Sequence, residues 1–146
     1  MDMNMTAPRQ GETMDDTGYL LPRIGTIVTP YDRMEDIPRQ SALAADVLGR
    51  AEVFPEYAQG LLTLEECSKV WLIFLFDLAK PVELITTSRE DDRPRGIFAT
   101  RSPRRPSRLG MSAVEVVSVS DGVVVFQGVD MRNGSPLLDI KPCFEC

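Results

Sequence analysis

The sequence contains no histidine in 146 residues. That excludes a Ser-His-Asp or Cys-His nucleophile system and any histidine metal cluster, so catalysis has to come from carboxylates, tyrosine, lysine, arginine or positioning. Cysteine is scarce as well, with three in the chain. Cys67 stands alone, and Cys143 and Cys146 form a Cys-x-x-Cys with no second pair. This is a poor basis for zinc, and two exposed terminal thiols are the expectation. Long apolar runs are missing. The most apolar stretch, Val70 to Phe76, is too short to span a bilayer as a helix. The N-terminus has acids and no apolar stretch of the secretory kind. The expectation is a cytoplasmic protein with neither membrane nor metal partner. There is also no Gly-x-Gly-x-x-Gly, no Walker loop and no βαβ alternation, so a Rossmann-type cofactor site is not supported.

What is present suits one compact domain, with 43% hydrophobic and 26% charged residues. The formal charge is −6, yet residues 93–110 hold six arginines and no acid. Concentrated arginine points to anion recognition, because the guanidinium is planar, permanently charged and able to pair its hydrogen bonds on phosphate or carboxylate. Glycines and prolines among these arginines argue for a shaped backbone rather than a smooth helix.

Taken in order, residues 1–18 are acidic and methionine-rich and read as a disordered leader, leaving 19–146 as a single domain. Arg23 to Thr29 is a first strand, closed by Pro30. Ser41 to Arg50 begins as a short helix, and Arg50 to Phe54 is a strand stopped by Pro55. Tyr57 to Cys67 is a short helix, with Thr63 and Glu66 at capping-box spacing. Val70 to Phe76 is expected as a central strand buried on both faces, with Trp71, Phe74 and Phe76 in the core. Val82 to Thr87 and Gly96 to Thr100 are further strands. Met111 to Ser120 and Val123 to Val129 flank an Asp121-Gly122 hairpin turn. Arg132-Asn133-Gly134 signals a second hairpin before the closing strand Pro136 to Ile140. The fold class is therefore mainly β, a small barrel of about seven or eight strands with one short helix, because closure removes exposed edges.

Several motifs then fall in one order. They are Ile24-Gly-Thr-Ile-Val-Thr-Pro30-Tyr31, Pro38-Arg39-Gln40, Ser68 to Phe76, Gly96-Ile-Phe-Ala-Thr-Arg101-Ser102, Arg105-Pro106-Ser-Arg-Leu-Gly110-Met-Ser112, and Asp130 followed by Asn133 to Pro142. Together, over residues 23–142, the chain resembles the TsaA-like (YaeB/TrmO) family. The resemblance implies a β-barrel methyltransferase that uses S-adenosyl-L-methionine and methylates N6 of threonylcarbamoyl-adenosine in tRNA beside the anticodon. It also implies a homodimer with the cofactor near the subunit interface. Carried over, the cofactor contacts are Arg39, Gln40, Ser41, Ala42, Leu78, Ala79, Arg101, Leu109, Gly110, Met111, Gln127, Val129 and Asp130. The sequence departs from the pattern at Ser107-Arg108, where the family has Asn-Pro, at Lys69 and Asp77, where histidines are frequent, and at Cys143, where it has tyrosine. The expectation is that the C-terminal domain of longer bacterial members is missing.

Methyl transfer from a sulfonium runs on in-line orientation and exclusion of water, so a chain without histidine can carry it. Arg101 is the candidate for the cofactor carboxylate, or else a surface arginine. Asp130 is the candidate for ribose hydroxyls, or else a turn aspartate. Leu109 and Met111 make an adenine wall, or belong to the core. Asp139 and Lys141 share one strand face with Ile140 on the other. They form a structural ion pair, or Asp139 takes the acceptor's proton. Tyr31 is a further polar contact for catalysis. Arg93, Arg95, Arg104, Arg105 and Arg108 are the RNA candidates, against a solvated basic loop or a Pro103-x-x-Pro106 ligand. Two alternatives stay open: a barrel of this kind methylating another acceptor, and a non-enzymatic RNA- or anion-binding module.

Overall fold

A computed structural model describes residues 13–15, 18–37, 46–78, 80–87 and 91–144, with the side chains of 13–15 excluded. Ten strands form among them: β1 (Thr13–Asp15), β2 (Gly18–Tyr19), β3 (Gly25–Val28), β4 (Leu48–Val53), β5 (Lys69–Leu75), β6 (Ile85–Thr87), β7 (Pro94–Gly96), β8 (Leu109–Ser120), β9 (Val123–Gln127) and β10 (Ser135–Pro142). Six of them close a barrel in the order β10-β3-β4-β9-β8-β5. β1–β2 and β6–β7 are separate two-stranded ladders. The expected mainly-β barrel is therefore present, with its strands divided between the barrel and two small ladders. Part of the expected leader, β1, pairs with β2; residues 1–12 and 16–17 lie outside the described residues.

Alternation of side chains packs the barrel. Val70, Leu72 and Phe74 of β5 point inward with Ile27, Ala51, Val114, Val124, Phe126 and Leu137. Each such large side chain, removed from water, contributes about 1.5–3 kcal/mol. The other face of β5 carries Trp71, Ile73 and Leu75, which are only half-buried. The expectation of a strand buried on both faces is thus corrected. A barrel strand has one inner face, and a continuous apolar run on it means that the outer face is also covered or binds something.

Three other local readings change. The Tyr57–Cys67 segment is helical as two 3-10 stretches, Pro55–Leu61 and Leu64–Glu66. Thr63 precedes the second stretch at φ 69° and its side chain makes no capping bond, so the capping box does not form. Of Gly96–Thr100, only Gly96 is in a strand; Ile97–Ala99 is a 3-10 turn that buries Ile97. The Arg132–Gly134 turn, with Gly134 at φ 88°, is real but closes no hairpin. β9 pairs with β4 and β8, whereas β10 pairs with β3 and β5. By contrast, Asp121-Gly122, at φ 51° and 78°, joins β8 to β9 as expected.

β9 and β10 lie on opposite sides of the six-stranded ring, so residues 128–134 must cross the barrel's end. Val129 and Met131 are fully buried there and plug it, and the intervening Asp130 is left less buried than either. Every buried polar side chain among the described residues serves this crossing. Thr29 Oγ1 donates to the Met131 carbonyl at 2.9 Å, Ser135 Oγ to the Arg132 carbonyl at 2.7 Å, and Ser112 Oγ to Asp130 Oδ1 at 2.6 Å. Burying hydroxyls costs stability unless they are bonded, so these three fix the loop where it is.

Candidate functional site

The outer face of β5, the start of β8 and the arginine-rich connection between them enclose a cleft of about 830 Å³. Its wall is largely apolar: Trp71, Ile73, Phe74, Phe76, Phe98, Leu109 and Met111. Register explains the grouping, since Met111 lies opposite Ile73 and Leu109 opposite Leu75. Gly110 sits between them and is buried. A Cβ there would run into the Phe74 ring and come within 2.8 Å of Phe76, so glycine lets these rings, packed edge to face at 5.3 Å, back the cleft.

Charge enters this apolar wall from Arg101, Arg105 and Asp130. Arg101 is exposed and its guanidinium donates to the Met111 carbonyl, which pins it to β8. Arg105 is half-buried and donates to the Thr100 carbonyl at 2.8 Å. Burial pushes the Asp130 carboxyl above its ordinary value, while the Ser112 hydrogen bond, the Arg101 charge and a backbone N–H hold it down. A smaller cavity of about 250 Å³ adjoins the cleft, lined by Met34, Ile37, Leu78, Met131, Arg132 and Asp77 among others. The two share Phe74, Phe76, Pro103 and Asp130.

The structure therefore brings together Arg101, Leu109, Gly110, Met111 and Asp130 in the cleft, and places Leu78 on the neighbouring cavity. Val129 is fully buried in the core, and half-buried Gln127 lines neither cavity. Arg39, Gln40, Ser41, Ala42 and Ala79 lie outside the described residues. Tyr31 is half-buried beside the crossing loop, where its carbonyl accepts from Asn133 N at 2.7 Å, but it lines neither cavity. Asp139 and Lys141 form an ion pair at 3.4 Å on the outer surface. They lie opposite Ile73 and Trp71 respectively, one strand beyond the cleft wall.

The arginine segment is more engaged than its composition suggests. Arg95 pairs with Asp91 at 2.5 Å and Arg104 with Glu83 at 2.7 Å. Arg108, at φ 54°, donates to the Lys80 carbonyl at 3.1 Å. Arg105 faces the cleft rather than a free surface, and Arg93 is exposed. Reasoning on sequence missed Trp71, Ile73 and Phe98 as cleft residues and Ser112 as the partner of Asp130. The continuous apolar run from Val70 to Leu75 hid the first two, since alternation there shows only in burial; Phe98 and Ser112 had no signal beyond their place in motifs. No cluster of potential metal ligands occurs among the described residues, nor any helix long and apolar enough to cross a membrane.

A family model for the tRNA-methyltransferase O N-terminal domain matches residues 26–146. The chain belongs to that family. A probable S-adenosyl-L-methionine-binding protein of Pyrococcus abyssi is 40% identical over 119 residues, which are 82% of this chain and 65% of that one. The human tRNA (adenine(37)-N6)-methyltransferase is 30% identical over 135 residues, 87% of this chain and 31% of its own length. The crystal structure of TrmO from Pseudomonas aeruginosa superposes with a TM-score of 0.72 at 34% identity, covering 86% of this chain and 56% of that one. The chain thus spans less than two thirds of each of these proteins. The TrmO-domain match includes the whole wall of both cavities, the crossing loop and the arginine segment.

Proposed function

We propose that this chain is an S-adenosylmethionine-dependent methyltransferase acting on the N6 position of threonylcarbamoyl-adenosine beside the anticodon of tRNA. One observation carries the reading: a single apolar cleft of about 830 Å³ joins the Arg101 cation to the half-buried acid Asp130. That donor set fits the cofactor. The volume falls in the range of small-molecule sites, which run from about 300 to 1,000 Å³. Apolar Leu109 and Met111 suit a purine face, Arg101 suits a carboxylate, and Asp130 suits the hydroxyls of a ribose.

When bound, the cofactor supplies an electrophilic methyl group on a sulfonium. The chain's own residues would bind, orient and exclude water. The Met111 carbonyl holds Arg101 in one direction, so the guanidinium is pre-aimed rather than ordered on binding. Half-buried Trp71 and Phe76 give the cleft an apolar wall, and a bound cofactor and acceptor would displace water from it. Transfer then follows from alignment, a mechanism that needs no histidine. Names given to relatives for S-adenosylmethionine binding and for tRNA adenine methylation support the assignment. Exposed Arg93 is the arginine best placed to meet RNA phosphate, and a homodimer with the cofactor near its interface completes the reading.

Calorimetry tests the cofactor part: S-adenosylmethionine binds the wild-type protein and binds Arg101→Ala much more weakly. No binding to either would sink the proposal. Mass spectrometry of tRNA from cells with and without the gene tests the acceptor. Unchanged methylation of the adenosine next to the anticodon would redirect the same barrel to another acceptor.

A further inference from the structure

Arg108 holds a backbone angle that arginine rarely takes. Its φ is 54°, in the left-handed region that glycine, asparagine and aspartate enter most readily and that strains an arginine. The position is also one where the chain departs from the family pattern. The proline that stands there in the pattern is locked at a φ of about −65° and could not take this angle, so the turn into β8 is this chain's own. Strain of this kind persists where the surrounding structure over-determines it, and it gathers at sites of function.

What surrounds Arg108 is a double hold on the turn that follows β5. Its carbonyl accepts from Phe76 N at 2.8 Å, one step beyond the Leu75–Leu109 pair that ends the β5–β8 ladder. Its guanidinium donates to the Lys80 carbonyl at 3.1 Å, farther along the same connection. Between the two holds stands Leu78, which lines the smaller cavity with Phe76, and Phe76 lines the cleft as well. The Arg108 N–H donates to the Arg105 carbonyl at 3.1 Å, which ties the same residue to the arginine that faces the cleft. We propose that Arg108 is a positioning residue for the cofactor cleft: gripping Phe76 through its backbone and Lys80 through its side chain, it sets Phe76 and Leu78 against the bound cofactor. Half-buried Arg108 thus works inward, unlike exposed Arg93. The assignment rests on the methyltransferase reading and deepens it.

Two substitutions separate positioning from stability. Arg108→Ala and Arg108→Gly both delete the guanidinium, but only glycine takes a φ of 54° without strain. The melting temperature should therefore be higher in Arg108→Gly than in Arg108→Ala. Affinity for S-adenosylmethionine should fall alike in both, by about 10-fold, the loss of one charge-assisted hydrogen bond. Trp71 is the chain's single tryptophan and lines the cleft, so its fluorescence reads binding without turnover. Affinity that follows melting temperature, with glycine restoring it, would leave Arg108 a structural residue and overturn the proposal. Unchanged affinity in both variants would overturn it too, and a flatter salt dependence of anticodon stem-loop RNA binding would then make Arg108 a phosphate contact. If calorimetry shows no S-adenosylmethionine binding to the wild type, the methyltransferase reading itself falls.

Discussion

Ser112 donates its hydroxyl to the Asp130 carboxylate at 2.6 Å, tying β8 to the loop that crosses the barrel's end. Ser112 is buried and its bond is to a charged acceptor, a kind of hydrogen bond worth about 1.5–3 kcal/mol. Removing it acts on both stability and chemistry. Ser112→Ala should destabilise the fold by roughly that amount in a denaturant titration. It should also let the Asp130 carboxyl titrate higher still, because burial then works against one opposing interaction fewer. A carboxyl-carbon NMR titration reads this directly, and an unmoved or lowered Asp130 would show that the bond does not hold the charge.

The raised Asp130 carboxyl has a stability consequence of definite sign. Its folded value lies above the ordinary 3.8, so the folded state holds this proton more tightly than the unfolded state. Below the unfolded value both states are protonated and the group contributes nothing. As pH rises through the folded value, stability falls, and the deficit persists at neutral pH. Asp130→Asn removes the deficit. Its melting temperature should exceed that of the wild type at pH 7, and the gap should close as pH is lowered toward 3.8. Melting curves across that range decide it; a gap that widens toward acid would mean that Asp130 is stabilised as a carboxylate.

Arg101 should behave as an anchor that lysine cannot replace. Its guanidinium already donates to the Met111 carbonyl, and the remaining N–H groups are left for a carboxylate. Losing a charged hydrogen bond of about 1.5–3 kcal/mol weakens binding about 10- to 150-fold. Arg101→Ala should lose that much S-adenosylmethionine affinity. Arg101→Lys should recover little, since a single ammonium cannot serve both acceptors in the arginine geometry. Calorimetric affinities for the three proteins check this, and full rescue by lysine would leave Arg101 as a diffuse positive charge only.

Much of the barrel could be read from local chemistry. Asp121-Gly122 announced its hairpin because few dipeptides supply two positive φ angles cheaply. Arg132-Asn133-Gly134 gave the same local signal, but its flanking strands pair elsewhere, and pairing partners are a property of the closed ring. Trp71 illustrates a second limit. An apolar outer face looks like core in sequence, and only closure of the barrel showed which face is inside. Asp130, Arg101 and Leu109–Met111 were singled out together through their motifs and line one cleft, the last three at the start of β8, whereas Ser112 was passed over because a buried serine has no sequence signature until its acceptor is located. The arginine segment was legible as charge and illegible as partnership: Glu83, which neutralises Arg104, lies 21 residues away.

That partnership separates the arginines in a salt titration. A cation that meets phosphate releases a counterion, so removing it lowers the slope of log affinity against log salt by about 0.7–0.9 per contact. Arg93 is exposed and its side chain joins none of the ion pairs between described residues. Arg104 is held by Glu83 at 2.7 Å while its carbonyl accepts from Glu83 N at 2.9 Å, so it fastens the arginine loop to the segment leading into β6. Arg93→Ala should weaken binding to an anticodon stem-loop RNA and reduce the slope by about one contact. Arg104→Ala should leave Glu83 unpaired beside the loop, lowering the loop's protection from proteolysis more than it changes the slope. Filter binding across a salt series, set beside limited proteolysis, compares the two. Equal slope changes would mean that the Glu83 pair opens on RNA and that Arg104 contacts phosphate after all.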